Sequence, residues 1–215
     1  MLLAEVNPDY RISYYYDASG IATEIGYSKK DNGKYAKEEY FFFARNGQGD
    51  IVGIYRSADS TLVGSYEYDL WGNPVSVIEN TTKKVNGKTV TIRDEQGTLE
   101  KNPLRYRGYY YDKETGFYYL NARYYDPKVH KFITPEPNFK VGKFDKNTGL
   151  NAYNLFAYCG NDPINLADQT GEFVITTTML VVGICAAIGL TIGGIIGNVA
   201  ADKRALPAGI RHAQY

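Results

Sequence analysis

Apolar and polar positions alternate in short runs along the first part of the chain, and a turn rich in Asp or Gly interrupts each run. The runs are YYYDASGIATEI (14–25), YFFFARNGQGDIVGIYRS (40–57), YEYDLWGNPVSVI (66–78) and YYYDKETGFYYL (109–120). Aromatic and β-branched residues favour pleated strands, whereas Asp and Gly favour turns. Each run therefore predicts a β-hairpin. Since one hairpin is unstable alone, the four predict an all-β fold in which successive hairpins stack edge to edge.

An acidic residue ends the first strand in three of these hairpins, at Asp17, Asp69 and Asp112. A side-chain carboxylate at that position can accept hydrogen bonds from its own turn, and the following Gly can take a positive φ. The hairpin at 40–57 has the same form without the Asp. In the last hairpin, the pattern predicts a strand through Tyr111, a turn over 112–116 and a return strand from Phe117 to Arg123.

The polar stretch 79–103 lacks this alternation. It predicts a loop or an excursion hairpin around Asn86-Gly87, because that dipeptide favours the tightest hairpin turns. Residues 1–78 are therefore assigned to the repeats and 79–103 to a separate excursion.

A long apolar segment follows the β region. Residues 173–201 comprise 29 positions without a charged side chain, which is longer than the ~20 residues that a membrane-spanning helix needs. Gly189, Gly193 and Gly197 recur at a spacing that lets membrane helices approach closely. The segment 172–215 thus predicts one apolar transmembrane helix and a short tail. A buried helix or a pair of strands inside a larger β structure is the alternative.

Charge and composition exclude several function classes. Of the 215 residues, 24 are Lys or Arg and 24 are Asp or Glu, so no overall field draws the chain to a nucleic acid, and none is predicted as a partner. Cys159 and Cys185 are too few for a disulfide framework or a paired-cysteine metal site. His130 and His212 lie far apart in sequence, and His130 is predicted as a turn residue. No metal or other cofactor is predicted.

Three further motifs follow one another in the second half of the chain. They are RYRGYYYDKETGFYYLNARYYDP (105–127), KFITPEP (131–137) and NLFAYCGNDPINLAD (154–168). In order and spacing they resemble the repeat-associated core of the Rhs (rearrangement hotspot) family, over about 104–171, and the earlier hairpins resemble its YD repeats. The resemblance implies a partial spiral of hairpins that forms part of a hollow shell closed by the core. It also implies the remainder of a larger shell, its cargo and an immunity protein as partners.

The same resemblance implies chemistry at two acids. The core of this family often acts as an intramolecular aspartyl protease, which requires two carboxyl groups that share a proton. The match assigns them to Glu136 and Asp168 and the scissile bond to Glu172-Phe173. Glu136 stands where the family usually has Asp, while Gln169 and Glu172 replace its Pro and Leu. The alternative is that Glu136 and Asp168 cap turns.

Together these patterns predict a structural carrier and closure segment of an Rhs-type polymorphic toxin or cell-surface delivery protein. The alternatives are a self-cleaving protease, and a membrane-anchored module that binds a carbohydrate or receptor through its aromatic surface. The first ten residues do not form a signal peptide, so export is expected only as part of a larger protein, with a final location at a membrane, at the cell surface or outside the cell. Arg105, Arg107 and Arg123 are expected to pair with acids such as Asp112 or Asp126, or to lie on tyrosine rings.

Overall fold

The computed structural model describes residues 2–137, 154–172 and 174–176. The strands of the repeat region are β1 (Ala4–Val6), β2 (Tyr10–Tyr16), β3 (Ala22–Asp31), β4 (Lys34–Tyr35), β5 (Glu39–Arg45), β6 (Ile51–Arg56), β7 (Thr61–Tyr68) and β8 (Pro74–Ile78). The excursion contains β9 (Asn80–Val85), β10 (Lys88–Arg93) and the single-turn helix α1 (Thr98–Lys101). The remaining strands are β11 (Tyr110–Asp112), β12 (Phe117–Tyr119), β13 (Tyr124–Asp126), β14 (Lys131–Phe132), β15 (Leu166–Asp168) and β16 (Val174–Thr176). The described structure is mostly antiparallel β-sheet, as the alternation predicts.

The repeats form one eight-stranded sheet in the order β1-β2-β3-β5-β6-β7-β8, with β4 paired to β3 away from this path. The hairpins β2–β3, β5–β6 and β7–β8 are those that the sequence predicts. Because neighbouring strands are antiparallel and joined in sequence, the three hairpin turns lie at the same end of the sheet. This end is called the turn end below.

Each of the three turns is organised by one side-chain oxygen. Asp17 Oδ1 accepts the backbone N–H groups two and four residues later at 2.8 and 2.9 Å, and Asp69 Oδ1 repeats both contacts at 2.8 and 2.9 Å. In the hairpin without the Asp, Asn46 Oδ1 accepts the same two N–H groups at 2.9 and 3.0 Å. An amide oxygen therefore replaces the carboxylate, which the sequence analysis did not recognise.

The excursion begins at the opposite end of the sheet. Strands β9 and β10 form the predicted hairpin as a separate two-stranded sheet. The chain then returns across one face of the large sheet through α1, where Leu99 is buried and accepts a 2.6 Å hydrogen bond from the Tyr66 hydroxyl through its carbonyl. This return carries the chain to Leu104 and into the second sheet.

The second sheet, β11-β12-β13-β14, is called the tyrosine sheet below. It packs against the turn end through tyrosines. Three buried rings each send a hydroxyl to a successive carbonyl of the turn between β7 and β8: Tyr106 to Leu70 at 3.0 Å, Tyr125 to Trp71 at 2.9 Å and Tyr118 to Gly72 at 2.8 Å. Gly72 has φ +88, and a Cβ there would lie 2.5 Å from the Tyr106 ring. This turn and the tyrosine sheet therefore fit together only with glycine at that position.

The tyrosine hairpin departs from its prediction in one respect. The turn at 112–116 forms, with Gly116 at φ +77 and Asp112 Oδ1 accepting the Glu114 N–H at 2.9 Å. The predicted return strand is wrong beyond Tyr119, because Asn121 adopts φ +64 and the chain reverses again before β13. The reversal brings Arg123 to the start of a new strand.

The helix predicted from residue 172 is wrong where the structure describes it. Val174–Thr176 form β16, which pairs with Leu166–Asp168 in antiparallel register. Within the described ranges, no helix is long and apolar enough to cross a bilayer. The rest of the apolar segment, including Cys185 and the spaced glycines, lies outside the described residues.

One prediction follows from the amide at position 46. Asn46 Nδ2 donates to Asp50 Oδ2 at 2.6 Å, so Asn46→Asp replaces a hydrogen bond by two adjacent carboxylates, although it restores the acidic residue of the other turns. We expect the free energy of unfolding at pH 7 to fall by about 1–2 kcal/mol. Urea unfolding followed by circular dichroism measures this change.

The matched control is Asp17→Asn, which keeps the accepting oxygen in the first turn and should change stability by less than about 0.5 kcal/mol. An Asn46→Asp protein as stable as the unmodified chain at pH 7 would contradict the assignment.

Candidate functional site

Asp168 and Glu136, the two acids singled out in the sequence, meet at one guanidinium group. Asp168 ends β15 and is 0% exposed, while Glu136 lies in the loop after β14 with a side chain 24% exposed. Arg123 Nη2 lies 2.9 Å from Glu136 Oε2 and 3.6 Å from Asp168 Oδ2. The two carboxylates are therefore bridged by a single nitrogen.

Arg123 is held in this place by its other contacts. Its side chain is buried, and its Cζ lies 3.5 Å from the centre of the Phe132 ring. Nε donates to the carbonyl of Gly171, and Nη1 donates to the carbonyl of Leu155 at 3.3 Å. The expectation that this arginine pairs with Asp112 or Asp126 is wrong. The guanidinium instead joins the chain before β15, the loop after it and both acids.

The other two arginines follow the alternative expectation. Arg105 Cζ lies 5.2 Å from the centre of the Tyr66 ring and 4.7 Å from that of Tyr111. Arg107 Cζ lies 5.3 Å from the centre of the Tyr106 ring. Both side chains therefore contribute to packing between the sheets.

Asp168 also closes its own turn. Its Oδ1 accepts the N–H of Thr170 at 3.1 Å and that of Gly171 at 2.7 Å. Gly171 has φ +77, and a Cβ there would lie 2.9 Å from the carbonyl oxygen of Leu120. The turn that Asp168 caps is thus tightly packed against the start of the strand that bears Arg123. Capping of a turn by Asp168 is what the alternative interpretation of the two acids predicts.

A proton-sharing pair of carboxyls requires close approach of the two acids. Here Arg123 Nη2 lies near one oxygen of each acid. Glu172, on the amino side of the expected scissile bond, is exposed, and Phe173 lies outside the described residues. The Arg123 contact is to the carbonyl of Gly171, one residue before that bond. A developing oxyanion nearby would be stabilised by the same guanidinium.

Burial governs the titration of the groups around the site. It lowers the pKa of the Arg123 guanidinium, and the nearby carboxylates of Glu136, Asp168 and Glu172 act in the opposite direction. Burial also raises the pKa of the Cys159 thiol to about 12, so this cysteine is a thiol and not a nucleophilic thiolate at neutral pH.

The remaining sequence candidates occupy structural positions. His130 lies in a turn with φ +62 and stacks on Trp71 with ring centres 4.3 Å apart. In the described part of the chain, no group of three or more His, Cys, Asp or Glu side chains could hold a metal ion.

The residue that sequence reasoning missed is Arg123. Three arginines alternate with tyrosines between 105 and 123, and nothing in that pattern distinguishes the third. Its partners lie 13 and 45 positions away, and only the chain reversal at Asn121 and the pairing of β15 bring them together. Its role is therefore determined by tertiary structure.

No protein-family model matches this chain. The chain is 31% identical over 175 residues to the tRNA3(Ser)-specific nuclease WapA of Bacillus spizizenii, an alignment that covers 80% of this chain and 6% of that protein. It is 34% identical over 85 residues to the toxin protein Tse5 of Pseudomonas aeruginosa, covering 40% of this chain and 6% of Tse5. The chain thus spans about one seventeenth of the length of these relatives.

The fold is similar to part of a crystal structure of TcdB2-TccC3-Cdc42, with a TM-score of 0.54 and 17% identity over 76% of this chain and 7% of that one. At this identity the similarity concerns the fold alone. These two relatives are a tRNA nuclease and a toxin protein, and the fold recurs within a far larger chain.

The side chains that meet at the Arg123 guanidinium are expected to contribute very unequally to the free energy of unfolding. Arg123→Met would leave the fully buried Asp168 without its cationic partner, so we expect the free energy of unfolding to fall by about 3–5 kcal/mol. Glu136→Gln keeps a hydrogen-bond acceptor at a partly exposed position and should cost less than about 1 kcal/mol. Urea unfolding monitored by the fluorescence of Trp71 measures both.

Arg56→Met provides the control, because Arg56 pairs with Asp59 at 3.8 Å on the surface and should contribute little. Equal losses for Arg123→Met and Arg56→Met would show that the buried bridge does not stabilise the fold.

Proposed function

We propose that this chain is the closing segment of an Rhs-type toxin shell, a carrier part and not a catalyst. The observation that carries the proposal is the contact between the tyrosine sheet and the turn end of the repeat sheet. Tyr106, Tyr118 and Tyr125 cover the last hairpin turn with their hydroxyls. A second sheet fixed across the end of a hairpin array suits a part that closes a shell.

The open edges of the repeat sheet support the same function. Strands β1 and β8 are the two ends of the sheet order, so among the described residues each has a neighbouring strand on one side only. Such edges can pair with further strands. The remainder of a larger shell would add hairpins there.

The relatives also favour a carrier role. The matched segment occurs in a tRNA nuclease and in a protein named only as a toxin, and it is a small part of each. A segment shared in this way is more simply explained as a common delivery part than as the source of the nuclease activity. We therefore propose that the chain belongs to a larger exported protein, in which a toxin cargo and its immunity protein are the functional partners.

The carrier function can be tested in the full-length protein. Replacing Tyr106, Tyr118 and Tyr125 together by Phe keeps the rings and removes three buried hydrogen bonds, worth ~1 kcal/mol each. We expect the population of molecules in which the tyrosine sheet is detached, and with it the rate at which thermolysin cuts this sheet, to rise roughly a hundredfold. Gel analysis of a digestion time course measures this rate.

Tyr119→Phe with Tyr124→Phe is the control, because these two rings are exposed and contact each other at 5.0 Å. A triple variant digested no faster than this control would argue against closure by the tyrosine sheet.

Self-cleavage is the second candidate function, and the meeting of Glu136 and Asp168 on one guanidinium is the observation that favours it. In sequence, the expected scissile bond Glu172-Phe173 follows the turn that Asp168 caps and precedes β16. In the proposed step, one carboxylate accepts a proton from a water molecule while the water oxygen adds to the carbonyl carbon of Glu172. The bond to the Phe173 nitrogen then breaks, and the other carboxyl group, in its protonated form, transfers its proton to that nitrogen.

Intact mass of the purified chain tests this step. A fragment ending at Glu172 is expected, and both Asp168→Asn and the milder Glu136→Gln should abolish it. Asp162→Asn, at an exposed aspartate that accepts from Asn165 at 3.0 Å, should leave processing unchanged. A single full-length species from the correctly folded chain would exclude self-cleavage and leave the carrier function unaffected.

A further inference from the structure

The hairpin β9–β10 differs in construction from the other hairpins of the chain. It turns through two residues, Asn86 with φ +50 and Gly87 with φ +77, which is the tight turn that matches the twist of a two-stranded ribbon. It has no tyrosine, and it pairs with no other strand in the part of the chain that the structure describes. We refer to residues 80–93 as the ribbon.

The ribbon contributes little to the core. Every residue from 82 to 91 is exposed, and only Thr81 and Ile92 are half-buried. It is held at its base by Thr81 Oγ1, which donates to the carbonyl of Leu62 at 2.5 Å, and by Lys83 Nζ, which donates to Thr61 Oγ1 at 2.9 Å. The ribbon therefore projects from the end of the repeat sheet opposite the tyrosine sheet.

Positive charge is concentrated on this ribbon. Residues 80–93 include Lys83, Lys84, Lys88 and Arg93 and no acidic residue. The acids Glu79, Asp94 and Glu95 lie at its base. Because the whole chain is neutral, the other residues carry four more acids than bases. The net charge of the whole chain is balanced, and no nucleic-acid partner was predicted from it. The ribbon is nevertheless a local cationic element.

The two faces of the ribbon are chemically different. The register pairs Lys84 with Thr89, Thr82 with Thr91 and Asn80 with Arg93, so these six side chains share one face. All six can donate hydrogen bonds, and all are exposed. The other face contains Lys88, Val85, Val90 and Ile92, together with Thr81 and Lys83, which hold the base. One face is therefore entirely polar, cationic at both ends and free of carboxylates.

We propose that this face binds double-stranded DNA, with the ribbon in the major groove. That groove is ~12 Å wide and admits a two-stranded β-ribbon. Lys84 and Arg93 would contact phosphates, while the threonines and Asn80 face the base edges. A lipid surface fits less well because the face has no apolar side chain, and duplex RNA fits less well because its major groove is too narrow for side chains to read.

Fluorescence anisotropy of a labelled 20-base-pair DNA duplex, with the full chain at 50 mM salt, tests the proposal. We expect micromolar binding that weakens with salt, because each phosphate contact adds ~0.9 to the slope of log affinity against log salt. Lys84→Gln with Arg93→Gln should weaken binding at least tenfold and lower that slope by about 2. Lys128→Gln with Lys131→Gln removes the same charge from two exposed positions of the second sheet and its turn, distant from the ribbon, and should leave binding unchanged.

A second variant removes the ribbon entirely. The Asp94 N–H already donates to the Glu79 carbonyl at 3.3 Å, so two glycines can join these residues in place of 80–93, and Trp71 fluorescence checks that the rest still folds. Loss of DNA binding in this variant supports the proposal. Absence of binding by the unmodified chain, binding that survives the deletion, equal affinity for duplex RNA, or binding to phosphatidylglycerol vesicles but not to DNA would each overturn it.

Discussion

The structure depends on the donation of buried tyrosine hydroxyls to the carbonyls of a hairpin turn. A carbonyl in a tight turn has no strand partner, and burying it without a hydrogen bond would cost about 1–3 kcal/mol. Tyrosine resolves this because its ring fills the apolar layer while its hydroxyl reaches the acceptor. Three such contacts fix the tyrosine sheet on the last repeat, and the order of β11 to β14 determines where Arg123 and β14 lie. The site at Asp168 therefore depends on packing that begins at Leu70, Trp71 and Gly72.

The guanidinium of Arg123 has a comparable role one layer further along the chain. It joins segments that are distant in sequence through two ion pairs, two hydrogen bonds and one aromatic contact. A buried cation with two carboxylates and two carbonyls is well satisfied, and removing it would leave the buried carboxylate of Asp168 without its cationic partner. The same arrangement contributes to closure of the shell as it stands. It contributes to hydrolysis only if a water molecule and the peptide approach the carboxylates beside the arginine.

Much of the fold can be predicted from the sequence because each hairpin pairs segments that are neighbours along the chain. Strand alternation and Asp or Gly at the turns predict the three repeat hairpins and the tyrosine hairpin, and Asn86-Gly87 predicts the ribbon. Two features escaped prediction for different reasons. The role of Asn46 was missed because an amide oxygen accepts as a carboxylate does, and Arg123 was missed because its partners are set by tertiary structure. The apolar run predicted a helix, yet its first described residues pair with β15, which shows how strand pairing overrides composition. Glu136 and Asp168 were found together only through a family resemblance.

The contacts at the turn end are unequal. The last turn provides three carbonyls to the tyrosine sheet. The second turn provides the Asp50 carboxylate, which accepts the Arg107 N–H at 3.0 Å. The first turn is joined to the second by Arg45, which donates to the Ala22 carbonyl at 2.8 Å. The tyrosine sheet therefore contacts chiefly the turn of the final repeat. Hairpins could be gained or lost upstream of it during evolution without altering this interface, so a single terminal unit is compatible with containers of many different sizes.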